Sequence, residues 1–225
     1  ENGDWHSVDW QTAIEAAANA LKDIVEKHGP GALGGLISPS ATLEEMYLAA
    51  RILRALGSEH VDTRLRRGDF RDGVNATGFS GLPLAIAALE HVDAALLVGS
   101  NPRHEQPLIN HRLRKAAKAG AQVLALNPRR FDSNIDWAAE QVVHAAQMPA
   151  ALARIGHAVA ERKGLEPPAA LSAWLNATSA DANAETIAEA LVSAEKGVIL
   201  LGGLADAHPS GAELRYLAGL LSGML

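Results

Sequence analysis

Apolar residues in this chain repeat every three to four positions in some stretches and run unbroken in others, and the two patterns alternate. Behind Asp9, a good N-cap, Ile14, Ala17, Leu21, Ile24 and Val25 form one stripe that stops at Gly29-Pro30, which predicts a helix. The apolar run 32–37 reads as a buried strand. Thr42-Leu43-Glu44-Glu45 is a capping box, and the helix behind it presents Met46, Ala49, Leu53 and Leu56 on one face before ending at Gly57. Between Ser58 and Leu82 no period is sustained. Arg, Asp and Gly are frequent there, and a loop of that length inside a compact domain is usually functional or mobile.

After a predicted helix over 83–90 comes the clearest unit. Residues 94–98 form a strand, Gly99-Ser100-Asn101-Pro102 a turn, and a helix opened by Pro107 is closed by Gly120, with Lys115 and Lys118 in its last turns. A second unbroken strand, 121–126, stops at Asn127-Pro128. Strands that are apolar on both faces and separated by helices imply a parallel sheet covered on both sides. The pattern then predicts a short edge strand at 141–144 and a helix over 148–163 ended by Gly164. A surface connection over 165–183 holds one helical turn at 172–175, and a helix at 185–193 precedes a strand at 198–201. Ser210-Gly211-Ala212-Glu213 reads as a second capping box, opening a helix that carries Leu214, Leu217 and Leu221. The expected organisation is a main α/β domain over 1–164, then a connection with a final strand and helix on the same or a neighbouring sheet.

Composition narrows the function classes. With 225 residues and 48% apolar content the chain can bury a large core, and the expectation is a soluble globular domain. A formal charge of −6 argues against nonspecific nucleic-acid binding. The charge is uneven: between Arg103 and Arg130 seven Lys/Arg face one acid, a local +6 that leaves −12 elsewhere. That stretch suits an anionic ligand or an acidic neighbour. Without cysteine the chain offers no thiolate for zinc or for an iron–sulfur cluster. The most apolar long window, 82–98, is broken by Glu90, His91 and Asp93, so no membrane span is expected, and no signal-peptide pattern is present. The opening at Glu1 and the ending at Leu225 inside a helical pattern suggest a piece of a longer polypeptide.

Several motif matches carry no chemistry. Gly29-Pro30-Gly31-Ala32-Leu33-Gly34 fits the dinucleotide fingerprint by letter, yet it precedes a strand instead of joining a strand to a helix. His104-Glu105 and His111 lack the spacing of a zinc helix. Arg67-Gly68-Asp69 and the sequons at Asn75 and Asn176 have no export signal to give them meaning. The Arg-rich loop 64–71 reads as a solvated face or as a surface made for a partner. No catalytic residue and no metal ligand is assigned. The turn beginning Gly99-Ser100-Asn101-Pro102-Arg103 is different, because it lies at the carboxyl end of a parallel strand, where open α/β sheets bind ligands. Asn127-Pro128-Arg129-Arg130 occupies the matching place on the next strand. Together Gly99, Ser100, Asn101, Arg103, Asn127, Arg129 and Arg130 are candidates to clasp a nucleotide. The plainer reading is that Ser100 and Asn101 complete a turn while Arg103 pairs with Glu105.

Read together, the strand-and-turn 94–107 and the strand-and-turn 122–130 resemble the paired motif of molybdopterin oxidoreductases of the formate dehydrogenase and nitrate reductase type. The upstream features fit as well: Trp5 and Trp10 leading into a helix, Ser38-Pro39-Ser40 after a strand, Glu44-Glu45 on a helix, and Leu56-Gly57-Ser58 before an Arg-rich loop. The resemblance implies a Rossmann-like, mainly parallel α/β sheet with helices on both faces, and two turns meeting at one rim. Within the superfamily, Asn101-Pro102-Arg103-His104-Glu105-Gln106-Pro107 and its Arg-rich helix are most similar to the G-subunit branch of NADH-quinone oxidoreductase, respiratory complex I. That branch implies a structural domain on the cytoplasmic side of the inner membrane. Its partners would be other peripheral-arm subunits, with no nucleic acid and no membrane insertion. It would hold no cofactor here, the iron–sulfur clusters lying in an N-terminal part of the parent. Asn127 departs from the acid usual in the cofactor-binding enzymes. The alternative implied is a catalytic domain holding molybdopterin guanine dinucleotide.

Overall fold

In a computed structural model of the chain, the described residues are 6–63, 68–72, 81–82, 84–167, 171 and 182–225. They group into two compact units, Glu1–Arg67 and Gly68–Leu225. The sequence pattern put its division at Gly164, whereas the contacts divide the chain at Arg67.

In the first unit, Asp9 caps helix α1 (Trp10–His28) by accepting the Thr12 amide at 2.8 Å. Pro30 opens a 3-10 turn, Pro30–Ala32, so the predicted strand shrinks to β1 (Gly35–Leu36). Helix α2 (Leu43–Ala55) forms both halves of the predicted capping box, and β2 (Val61–Asp62) pairs with β1 in parallel. The core here is small. Leu33 and Leu53 are buried, but α1 buries none of its stripe, and Trp10 is 84% exposed.

The second unit is built on strands too apolar to face water. β3 (Ala94–Val98) is buried at all five positions. A short helix α3 (Pro102–Glu105) and helix α4 (Pro107–Lys118) lead to β4 (Gln122–Asn127) and then to β5 (Ala139–Val142). Helix α5 (Met148–Lys163) ends on Gly164 in the left-handed conformation, as its sequence predicts. Helix α6 (Ala182–Ser193), β6 (Gly197–Leu201), the single turn α7 (Gly203–Asp206) and helix α8 (Gly211–Met224) complete it. In place of the helix predicted over 83–90 the chain makes a 3-10 turn, Ile86–His91. The sequons and the turn predicted at 172–175 lie outside the described residues.

The strand order is β5-β4-β3-β6 with every pair parallel. Side chains alternate across β3. Ala94, Leu96 and Val98 join Leu124 and Leu126 in a core closed by α5, α6 and α8, while Ala95 and Leu97 join Val123, Leu113 and Ala116 beneath α4. This is a parallel sheet with helices on both faces, as the unbroken apolar runs imply. From β3 the chain winds outward through β4 to β5, then returns to lay β6 on the other side of β3. The reversal sets a topological switch point between β3 and β6, at their carboxyl ends.

Candidate functional site

Two turns leave the rim of the sheet side by side. After β3, Gly99 takes φ 58° and its amide donates to the Leu126 carbonyl. After β4, Asn127 reaches back. Its Oδ1 accepts the Ser100 amide at 2.9 Å and its Nδ2 donates to the Ser100 carbonyl at 3.1 Å. Both residues are buried. The expectation that the two turns meet at one rim therefore rests on a two-way hydrogen bond between named residues.

The switch point itself is filled by the chain. Gly202, directly after β6, lies so near the first turn that a Cβ there would fall 2.3 Å from the Ser100 Cα. A Cβ on Gly99 would fall 2.5 Å from the Ala205 amide nitrogen. Each glycine is present because two backbones occupy that space. The Gly99 carbonyl accepts amides from Leu204 at 3.0 Å and Ala205 at 3.3 Å, and Glu105 accepts the Gly203 amide at 3.1 Å. Sequence reasoning missed this third turn, although an apolar strand ending in Gly202-Gly203 carries the same signal as Val98-Gly99. Nor does Arg103 pair with Glu105: it pairs with Asp132 at 2.6 Å, which leaves Glu105 to α7.

Outside the filled switch point, Asn101, Arg103, His104, Arg129, Phe131 and Asp132 line an open depression of about 310 Å³. The Arg129 guanidinium stacks over the Phe131 ring at 5.3 Å, and Asn101 Oδ1 is buried without a hydrogen-bond partner among the described residues. Arg130 stands apart, 3.9 Å from Glu140. The basic stretch is thus only partly free. Arg112 and Lys115 both engage Glu90, and Lys115 first, then Arg112, hold its carboxyl at about 2. Arg114 and Lys118, exposed on α4, make no ion pair among the described residues. No group of metal-binding side chains occurs among the described residues, and none of their helices is long and apolar enough to cross a membrane.

A parallel sheet with helices on both faces and a switch point at its carboxyl rim is an open, doubly wound α/β fold. The chain belongs to the molybdopterin oxidoreductase family, whose model matches residues 1–216. It is 34% identical over 130 residues to a Staphylococcus aureus (strain MRSA252) protein named "Putative formate dehydrogenase", covering 54% of this chain and 13% of that protein. A protein of the same name from strain USA300 matches equally, so this chain spans about an eighth of the length of these relatives. Among solved structures, acetylene hydratase from Pelobacter acetylenicus superposes over 97% of this chain and 33% of its own, with a TM-score of 0.62 and 18% identity. A chain of the formyltransferase/hydrolase complex of Methylorubrum extorquens superposes over 97% of this chain and 56% of its own, with a TM-score of 0.55 and 24% identity. These likenesses establish the fold.

Proposed function

We propose that this chain is the structural and assembly domain of the G subunit of a bacterial NADH-quinone oxidoreductase, and that it holds no cofactor at its rim. The observation that carries the reading is the self-filled switch point. A pyrophosphate bound there would need free backbone amides and open space beside glycine. The amides of Gly99 and Ser100 are already spent on Leu126 and Asn127, and α7 occupies the space. The residues present do not fit a dinucleotide cofactor in that crevice.

In this reading the parent complex passes electrons from NADH to quinone through iron–sulfur clusters held elsewhere in the polypeptide. The present domain contributes surface. Arg114 and Lys118 offer the basic face of α4 to an acidic region of another peripheral-arm subunit on the cytoplasmic side of the membrane. The second reading, a domain that holds molybdopterin guanine dinucleotide, draws on the depression where Arg103, paired with Asp132, and Arg129 lie beside His104 and the buried Asn101 acceptor.

Elemental analysis of the intact parent, purified with its partner subunits, separates the two. Iron without molybdenum is the expected result, and one molybdenum per polypeptide would overturn the proposal.

A further inference from the structure

The turn α7 is four residues long, too short to hold itself on the rim by helix hydrogen bonds alone. A cluster of charges lies directly behind it. Arg215, one turn into α8, grips Asp72 with two nitrogens at 2.6 and 2.8 Å, bonds the Asp69 carbonyl, and reaches Asp206, the last residue of α7, at 3.3 Å. The terminal nitrogen of Arg215 also lies close over Gly211, where the chain passes from α7 into α8.

A second layer fixes the same corner. Ser210, at the cap position of α8, forms no side-chain cap, so the predicted capping box is not made. Asp69, 143 residues before Ala212, takes its place and accepts the Ala212 amide at 3.1 Å. Glu213, the expected reciprocal partner of Ser210, is turned instead to Arg71, which also grips Asp69 at 2.8 and 2.9 Å. The Asp69 side chain is 7% exposed and that of Arg215 is 23% exposed, so both work with much of their water removed, where charge-assisted bonds are strongest. The Arg130–Glu140 contact, at 3.9 Å, is by contrast a single loose pair.

We propose that the cluster centred on Arg215 is a latch: it ties segment 68–72 across the α7–α8 corner and so keeps α7 seated on the Gly99 turn, closing the switch point. The proposal rests on the reading that the chain itself fills this crevice. Segment 68–72 is the strap, Arg215 the pin, and Asp206 the arm that reaches α7. Opening the latch frees the amides of Leu204 and Ala205 from the Gly99 carbonyl without disturbing β3 or β6.

Hydrogen exchange on the whole 225-residue chain tests this. In Arg215→Gln, exchange at Gly203, Leu204 and Ala205 should rise about tenfold, the effect of losing one charge-assisted bond, while Leu96 and Ile199 in the sheet keep their protection. Arg215→Lys, which keeps the charge but not the two-nitrogen grip, should fall between the two. Unchanged exchange at 203–205, or a rise shared equally by Leu96 and Ile199, overturns the latch. Should Arg215→Gln not fold, Asp72→Asn decides by the same criterion. These measurements do not touch the metal content of the parent, so the latch can fail while the scaffold reading stands, and the reverse.

Discussion

A carboxylate at position 127 would accept the Ser100 amide as Asn127 does, but it could not donate to the Ser100 carbonyl. It would set a buried negative charge against a carbonyl oxygen. Asn127→Asp should therefore cost about 1–3 kcal/mol, read from the denaturant midpoint of unfolding. An unchanged midpoint would show that the side chain does not join the two turns. The same residue marks how far a site can be read from sequence. Gly99, Ser100 and Asn127 were legible because each ends an unbroken apolar strand. What Asn127 bonds to was not, because a one-letter code gives its residue type and not its partner across the sheet. Glu105 shows the same limit: its nearest cation in sequence is Arg103, yet it serves a backbone amide 98 residues away.

Elements of several periods were legible, and those of about one period were not. β3, α4 and α5 each carry enough apolar positions to fix both type and extent. β2 has two residues and α7 four, about one period each and too few to show a repeat; β2 lies in the loop 58–82, and the pattern assigns no element to the stretch that holds α7. The α1 stripe was read correctly as amphipathic, yet burial depends on what lies against a helix, and none of its residues is buried. At this scale the Glu90 clamp makes a prediction about pH. Lys115 and then Arg112 lower the Glu90 carboxyl from 4.5 to about 2. A carboxyl with a depressed folded value contributes its full stability above the ordinary value and loses it as pH falls through the folded one. Asp69 and Asp72 are also lowered, by Arg71 and Arg215 respectively. The stability that the Glu90 clamp contributes should be complete above about 5 and should fall as pH drops from 4.5 to about 2. Glu90→Gln should be less stable at neutral pH and lose less on acidification. Parallel curves for the two proteins would show that the clamp has no energetic weight.

At the scale of the second unit, the chain's own backbone fills the switch point between β3 and β6. β6 lies against β3, and Gly202 lets the third turn press onto the first. The sheet order creates the crevice and the glycines let the chain close it. The turns after β3 and β4 bond to each other through Ser100 and Asn127, while Asn101, Arg103 and Arg129 line the depression. Within 103–130, Arg114 and Lys118 on α4 and Arg129 at the depression make no ion pair among the described residues, whereas Arg103 is paired with Asp132. This arrangement suits a domain that contributes surface to an assembly. Calorimetric titration of the 225-residue chain with guanosine monophosphate tests it most directly. The closed switch point predicts no heat of binding at millimolar nucleotide. Saturable binding at one site per chain, lost in Asn127→Asp, would contradict it.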